Sequence, residues 1–175
     1  MYTATDQCGN TTTCNFDVNV TTGPVGPVEY CDARAEKPWN AWISGVTLGN
    51  LDHQLNKKNQ YGDFTDETAT LARGTTEQMD ITTTLSWISE SLHYEVWIDF
   101  NQNGVFESSE NVVSAANPET ILGAPTDNLS QVISVPADAV SGETRMRVSM
   151  QWNQAPTPCD SHEFGEVSDF GIIIE

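Results

Sequence analysis

Six residues between Asp99 and Glu110 have the types and the spacing of a calcium-binding loop. In the stretch DFNQNGVFESSE, side chains with oxygen atoms stand at positions 1, 3, 5, 9 and 12, and glycine stands at position 6. This is the spacing of an EF-hand loop, where calcium takes roughly six to eight oxygen ligands and the glycine allows a sharp turn. The sequence therefore predicts calcium as a cofactor, with ligands from the side chains of Asp99, Asn101, Asn103, Glu107 and Glu110 and from the carbonyl of Val105.

Two features limit what this loop is expected to do. Its only acids are Asp99, Glu107 and Glu110, which predicts modest calcium affinity. The residues before it, HYEVWI, are typical of a strand, whereas a calcium sensor moves two helices. Bound calcium is therefore expected to stabilise a connection between strands. The alternative is a polar hairpin loop with an Asn-Gly turn and no metal.

Two further acidic groups could complete or hold a metal site. One contains Asp63 and Asp66 in YGDFTDET, and the other contains Glu166 and Asp169 in CDSHEFGEVSD. Carboxylate oxygens of either group could bind a second ion. Such acids more often cap loops or pair with cations, so a second metal site stays open.

Aromatic residues in polar, loop-like surroundings indicate a different kind of site. Trp39 in KPWNAW, Tyr61 in NQYGD and Trp152 in QWNQAPTP are candidates for stacking against sugar rings. Arg145 and Arg147 alternate onto the polar face of their strand, and they join the candidates if the glycan is anionic. The alternative is that each tryptophan closes one end of a β-sandwich.

The charge of the chain excludes several classes of partner. Its 175 residues include 7 Lys and Arg against 25 Asp and Glu, which gives a formal net charge of -18. Such a chain repels the phosphates of nucleic acids and anionic membrane surfaces, so neither is an expected partner. The sequence contains no GxSxG, no HExxH and no phosphate-binding loop. We therefore do not expect an enzyme.

The rest of the chain has the pattern of short β-strands. Stretches of strand length are rich in β-branched or aromatic residues and are bounded by Gly, Pro, Asn or Asp. They predict an all-β fold, an antiparallel β-sandwich of jelly-roll or immunoglobulin-like type with a calcium loop. Residues 1–21 are expected to form a separate hairpin, residues 22–28 a Gly/Pro linker and residues 29–175 the sandwich. The predicted strands of the sandwich are AWISGVTL, QMDITTTL, HYEVWIDF, ENVVSA, LSQVISV, ETRMRVSM and DFGIIIE.

Four cysteines are compatible with an oxidised, extracellular chain, although their number allows more than one connectivity. The preferred pairs are Cys8–Cys14 and Cys31–Cys159. The second pair would tie the start of the sandwich to its end. The alternative for Cys8 and Cys14 is that both are free thiols.

Several ordered motifs, VWIDFNQNGVF, VPADAVSGETRMRVSM and FGEVSDF, resemble the GEVED domain of secreted bacterial proteins of Bacteroidetes type. The resemblance covers residues 29–175. Ser168 departs from the family pattern, which usually has Glu there, and this weakens any metal site in that stretch. The earlier stretch ATDQCGNTTTCNFDVNV resembles the terminal hairpin of a HYR domain, an immunoglobulin-like module.

The resemblance implies an accessory module of a secreted or cell-surface protein with several domains. We expect a non-catalytic module, stabilised by calcium, that binds a polysaccharide beside catalytic or other domains of the same parent chain. One alternative is a structural or adhesive spacer with no small ligand. Another is a protein-binding module of a secreted protease.

Overall fold

The computed structural model describes residues 2–14, 28–38, 40–55, 57–86, 91–117 and 126–175. No α-helix occurs among these residues. Within the same ranges there is accordingly no helix that is long and apolar enough to span a membrane. The strands are β1 (Tyr2–Thr5), β2 (Thr11–Cys14), β3 (Ala35–Lys37), β4 (Ala41–Leu48), β5 (Leu51–Gln54), β6 (Tyr61–Leu71), β7 (Thr76–Leu85), β8 (Leu92–Ile98), β9 (Asn111–Asn117), β10 (Thr126–Ser134), β11 (Gly142–Trp152) and β12 (His162–Ile174).

Two sheets pack face to face as a β-sandwich, which confirms the predicted fold class. The smaller sheet has the strand order β10-β7-β4-β5, and its neighbouring strands are antiparallel. The larger sheet has the order β3-β12-β11-β8-β9, and β6 also pairs with β12. β12 runs antiparallel to β11 but parallel to β3 and β6, so the sandwich is not antiparallel throughout.

Alternating apolar side chains form the core between the sheets. In β8 and β11 every second residue faces the opposite sheet, as the period of a strand requires. Each of these residues is at most 1% exposed, and burying such a side chain stabilises the fold by about 1.5–3 kcal/mol. They are Tyr94, Val96, Ile98, Met146, Val148 and Met150.

Three strands, β3, β5 and β6, lie outside the set that the sequence pattern predicts. β6 has the acidic sequence YGDFTDETATL, and its pairing with β12 shifts register between Phe170 and Gly171. A bulge of this kind interrupts the alternation by which a strand is recognised in a sequence. The stretch that contains Asp63 and Asp66 is therefore a strand.

The hairpin of β1 and β2 separates two cysteines that were expected to pair. The ladder joins Thr5 to Thr11 nearest the turn and Tyr2 to Cys14 at its far end. Cys8 lies in the turn and is an exposed, free cysteine. Thr11 is the residue of β2 nearest the turn that contains Cys8, and Cys14 lies about 10 Å farther along the strand. The Cα atoms of two cysteines in a disulfide are at most ~7 Å apart. The predicted Cys8–Cys14 disulfide is therefore wrong. The rest of the predicted hairpin and the linker, up to residue 27, lie outside the described residues.

The predicted disulfide between Cys31 and Cys159 is confirmed. It joins residues that are 128 positions apart, with 5.3 Å between their Cα atoms. We call residues 28–34 the covering segment, because this bond holds them against the outer face of the larger sheet.

Candidate functional site

The predicted calcium loop connects two neighbouring antiparallel strands. β8 ends at Ile98, the loop follows, and β9 begins at Asn111. The last three residues of the loop form a single 3₁₀ turn, Ser108–Glu110. Because strands lead into and out of the loop, a bound ion would have no pair of helices to move.

Asp99, the first residue of the loop, is fully buried and holds the main chain of the turn. Its carboxylate accepts hydrogen bonds from the N–H groups of Asn103 at 3.2 Å and Gly104 at 2.9 Å, and from the hydroxyl of Tyr30 at 2.8 Å. Gly104 has a φ of 82°, a conformation that glycine adopts without steric cost.

Glu110, the last residue of the loop, is buried at its other end. Its carboxylate accepts hydrogen bonds from the N–H groups of Asn101 and Glu107, each at 3.2 Å. Burial raises the pKa of Glu110, and the negative charges of Asp99 and Glu107 raise this pKa further. The loop therefore concentrates negative charge that a cation would compensate.

The amide side chains of the loop converge on its remaining acid. Nδ2 of Asn101 donates to Glu107 at 3.0 Å, and Nδ2 of Asn103 donates to Glu107 at 3.3 Å. Oδ1 of Asn103 accepts a hydrogen bond from the N–H of Val105 at 2.8 Å. The structure thus brings the predicted ligand residues into one network of contacts.

The donor set of the loop is mixed. No group of three or more His, Cys, Asp and Glu side chains that could hold a metal occurs within the described ranges. The three acids of the loop, Asp99, Glu107 and Glu110, do not form such a group in this structure, and Asn101, Asn103 and the carbonyl of Val105 are the other three predicted ligands. Amide, carbonyl and carboxylate oxygens together suit calcium, whereas zinc prefers nitrogen and sulfur.

The two other acidic groups do not assemble into a metal site in this structure. Asp63 accepts hydrogen bonds from the hydroxyl of Thr65 at 2.8 Å and from its N–H at 3.2 Å, which lowers the pKa of Asp63. Glu166 faces the core, where its carboxylate accepts a hydrogen bond from the N–H of Ile43 at 3.0 Å. Asp169 lies three positions farther along β12 and so points to the opposite face.

Arg147 is an internal cross-link and not a surface residue. It is 1% exposed, and its Nε and Nη2 atoms donate to the two oxygens of Asp169, each at 2.8 Å. Nη1 donates to the carbonyls of Cys31 at 2.8 Å and Pro158 at 2.7 Å. This burial does not favour a contact between Arg147 and a glycan, and that role stays a prediction. The alternation of β11 places Arg147 on the outer face, but the covering segment buries it there.

Trp152 lies on the core face of β11, away from the other candidate ligand residues. Its ring stacks on Phe164 with 4.7 Å between the ring centroids and 11° between the ring planes. It packs against the core, which favours the alternative that Trp152 closes the end of the sandwich. Tyr61 and Arg145 lie on the outer face, where both contact Asp169. Trp39 lies outside the described residues.

Tyr61 and Arg145 share a surface cleft of about 510 Å³ on the outer face of the larger sheet. Tyr61 is 37% exposed, and its hydroxyl donates to Asp169 at 2.9 Å. Burial raises the pKa of Tyr61 to about 12, so the hydroxyl stays protonated and keeps this role at neutral pH. We call this site the arginine cleft; its lining includes Tyr30, Arg34, Tyr61, Arg145, Arg147 and Ser161.

A second cleft, of about 550 Å³, adjoins the first and shares Tyr30 and Arg145 with it. Because its lining includes Asp66 and Glu143, we call it the acidic cleft. Both volumes fall in the range of about 300–1,000 Å³ that is usual for ligand sites.

Sequence reasoning missed five lining residues of the arginine cleft, namely Tyr30, Asp32, Ala33, Arg34 and Ser161. The signal that could have found them is the predicted bond between Cys31 and Cys159. Two cysteines that pair bring their sequence neighbours to one place, and all five missed residues lie within three positions of a cysteine of this pair.

Comparison with known families supports the resemblance stated above. Residues 93–173 match the family model of the GEVED domain. This stretch is similar to the GEVED domain. The match to the GEVED domain runs from β8 to β12 and includes the predicted calcium loop, Arg145 and Asp169. The stretch that resembles a HYR hairpin precedes the match, so its assignment stays a prediction.

Similarity to individual proteins is weaker. No curated protein sequence matches the chain. A Niemann-Pick type C2 protein from the Japanese carpenter ant shares 9% identity at a TM-score of 0.43, with 79% of this chain and 96% of that chain covered. An immunoglobulin-like protein from Pseudomonas aeruginosa shares 13% identity at a TM-score of 0.33, with 79% and 98% covered. The CARDB domain of a Pyrococcus furiosus protein, in complex with di-metal ions, shares 12% identity at a TM-score of 0.36, with 79% and 97% covered. Scores this low carry no inference about function.

Proposed function

We propose that this chain contains a calcium-stabilised, non-catalytic accessory module of a secreted protein with several domains. The observation that carries the proposal is the pair of buried carboxylates, Asp99 and Glu110, that hold the main chain of one loop between β8 and β9. The GEVED domain supports the coarser statement that the chain is a non-catalytic accessory module. The Cys31–Cys159 disulfide is compatible with an extracellular location.

Calcium would be held by the six predicted ligands, Asp99, Asn101, Asn103, Val105, Glu107 and Glu110. An ion bound there would compensate the charge of Asp99 and Glu110, since buried carboxylates are costly without a partner. It would also join the two ends of the loop to each other. Its expected effect is therefore a more stable connection between β8 and β9.

Thermal unfolding with calcium and then with excess EDTA tests this function. At a calcium concentration about a hundred times the Kd, a single site raises the free energy of unfolding by roughly 2.7 kcal/mol. Glu110→Gln should abolish the calcium-dependent rise in Tm. Glu36→Gln is the matched control, because Glu36 is exposed, lies outside the loop and loses the same charge. A wild-type Tm that does not respond to calcium would overturn the proposal.

We further propose that the module binds a polysaccharide in the arginine cleft. The specific observation in favour is an accessible ring, Tyr61, beside the guanidinium of Arg145 in a cleft of ligand size. Electrophoresis in gels that contain polysaccharides tests this proposal. Tyr61→Ala should lose retardation, whereas Trp152→Phe should keep it because Trp152 lies on the core face.

The other functions predict different results in the same gels. A structural or adhesive spacer would run without retardation in every gel. A protein-binding module of a protease would also run without retardation, but it would form a stable complex with the catalytic domain of its parent chain.

A further inference from the structure

We infer that the ligand of the arginine cleft carries a carboxylate group and that Arg145 binds this group. The inference rests on the proposed polysaccharide function and names the substrate class, a polysaccharide that contains uronic acids. It is carried by the charges of the cleft, by the hydrogen-bonding state of Arg145 and by the contrast with the acidic cleft.

Positive charge is concentrated in the arginine cleft. The chain has 7 Lys and Arg residues and a net charge of -18, yet Arg34, Arg145 and Arg147 line this one cleft. The charge of Arg147 is compensated by the carboxylate of Asp169, to which Arg147 donates two hydrogen bonds. Arg34 and Arg145 remain, against Asp32 as the one carboxylate in the described lining. A small anion is therefore attracted here, although the chain as a whole repels anions.

Some N–H donors of the Arg145 guanidinium make no hydrogen bond to the described residues. Its guanidinium lies over the ring of Tyr30, 4.5 Å from the ring centroid. Nη1 donates to Oδ2 of Asp169 at the long distance of 3.5 Å, and this oxygen already accepts shorter bonds from Arg147 and Tyr61. Within the described part of the chain, Nε and Nη2 of Arg145 have no acceptor. The side chain is 28% exposed, so solvent and ligands reach it.

A carboxylate suits these free donors. Arginine presents its N–H groups as a planar fork that binds the two oxygens of a carboxylate together. The stack on Tyr30 holds this fork in place before a ligand arrives, so less entropy is lost on binding. The fork of Arg145, in a cleft that also contains Arg34 and Asp32, fits a planar anion with one charge, whereas a densely sulfated chain would meet the repulsion of the net charge.

The acidic cleft sets the expected position of the charge along the ligand. Its lining includes Asp66 and Glu143, which would repel a second carboxylate. It also includes Thr65, Gln102 and Thr144, whose side chains can hydrogen-bond to sugar hydroxyl groups. The charged group of the ligand is therefore placed in the arginine cleft, and its neighbouring sugar offers hydroxyl groups to the acidic cleft.

Titration calorimetry with oligogalacturonate and with the same oligomer after reduction of its carboxyl groups tests the inference. The wild-type chain, saturated with calcium, should bind the acidic oligomer about tenfold or more tighter than the reduced one, as expected for hydrogen bonds to a charged group. Arg145→Gln should remove this preference. Lys57→Gln, which loses the same charge at an exposed position outside the cleft, should keep it.

Each outcome separates this inference from the function on which it rests. Equal binding of the acidic and the reduced oligomers by the wild-type chain would overturn the carboxylate inference and leave polysaccharide binding standing. Binding of neither oligomer, nor of any polysaccharide in the gels, would overturn the proposed function. Equal losses for Arg145→Gln and Lys57→Gln would show an effect of net charge and would overturn the role of Arg145.

Two further measurements complete the test. A short peptide with a free C-terminal carboxylate that binds the wild-type chain when neither oligomer binds, while its amide does not, would support carboxylate binding but overturn the polysaccharide as its source. If Arg145→Gln lowers Tm strongly, Arg145→Lys replaces it. Lysine keeps the charge but not the fork, so a lost preference for the acidic oligomer supports the inference and a retained one overturns it.

Discussion

The hydroxyl of Tyr30 donates a hydrogen bond of 2.8 Å to Oδ2 of Asp99, the first residue of the predicted calcium loop. The ring of Tyr30 also stacks on Phe106 of the same loop, with 5.0 Å between the centroids. The guanidinium of Arg145 lies over this ring. Tyr30 therefore connects the calcium loop to the arginine cleft through one side chain.

Tyr30→Phe should weaken calcium binding and leave the arginine cleft unchanged. The variant retains the ring under Arg145 but removes a donor that orients the carboxylate of Asp99. Partners of this kind, outside the direct ligands, typically change metal affinity by about 10- to 100-fold, so we expect a loss near the lower end, about tenfold. A calcium titration measures it. The control is Tyr61→Phe, whose lost hydroxyl serves Asp169 instead. The same Kd for Tyr30→Phe and the wild type would show that Asp99 does not need this donor.

Loss of the Cys31–Cys159 disulfide should strongly destabilise the sandwich. The bond closes a separation of 128 residues, and the chain-entropy estimate for such a loop is about 5 kcal/mol. Cys31→Ser should therefore lower Tm substantially. Cys8→Ser should leave Tm unchanged, because Cys8 is exposed and free. Thermal unfolding of the two variants under non-reducing conditions measures both effects, and equal Tm values would contradict the prediction.

Local patterns were enough for the fold class and for a connecting loop between β8 and β9, whereas calcium binding by that loop stays a prediction. The predicted ligand positions from Asp99 to Glu110 lie in one short stretch of the sequence, so their spacing alone predicts that they lie near one another. The alternating residues of β8 and β11 identify a buried face without knowledge of the partner strand. Both predictions depend on contacts within a few residues.

Longer-range contacts explain the failures. Arg147 was expected on a polar surface, but the carbonyl that it binds belongs to Cys31, 116 positions away. The Cys8–Cys14 pair has a suitable spacing in the sequence, but an extended strand carries Cys14 away from the turn. β6 carries acids on a strand with a shifted register, which local alternation does not identify. In each case a partner strand or a distant segment decides the outcome.

Asp169→Asn should destabilise the fold far more than the loss of a surface ion pair. The change leaves the buried guanidinium of Arg147 without its partner, which typically costs about 3–5 kcal/mol. Glu163→Gln, on the same strand, breaks the exposed pair of Lys37 and Glu163, for which about 1 kcal/mol or less is expected. Equilibrium unfolding in urea compares the variants. A small effect of Asp169→Asn would mean that the carbonyls of Cys31 and Pro158 suffice to hold Arg147.

Glu166→Gln should stabilise the protein at neutral and alkaline pH. Glu166 is fully buried, Oε2 accepts the N–H of Ile43, and Oε1 has no partner within the described ranges. Burial raises the pKa of Glu166 from 4.5 to about 8. Between these values the unfolded chain releases its proton and the folded chain retains it. The stability linked to this proton is complete below pH 4.5 and is lost as the pH rises through about 8.

The measurement is the free energy of unfolding at several pH values from below 4.5 to above 8 for the wild type, Glu166→Gln and Glu163→Gln. The wild type should lose up to about 1.4 kcal/mol per pH unit relative to Glu166→Gln across this window. Burial lowers the pKa of His162, so His162 makes the free energy of unfolding rise with pH in the range where it titrates. This effect is opposite in sign to that of Glu166. The difference between wild type and variant removes this contribution, since all three proteins keep His162. Glu163→Gln should follow the wild-type profile because Glu163 is exposed. Parallel profiles for the wild type and Glu166→Gln would mean that Glu166 is ionised in the folded protein, with a compensating partner at Oε1.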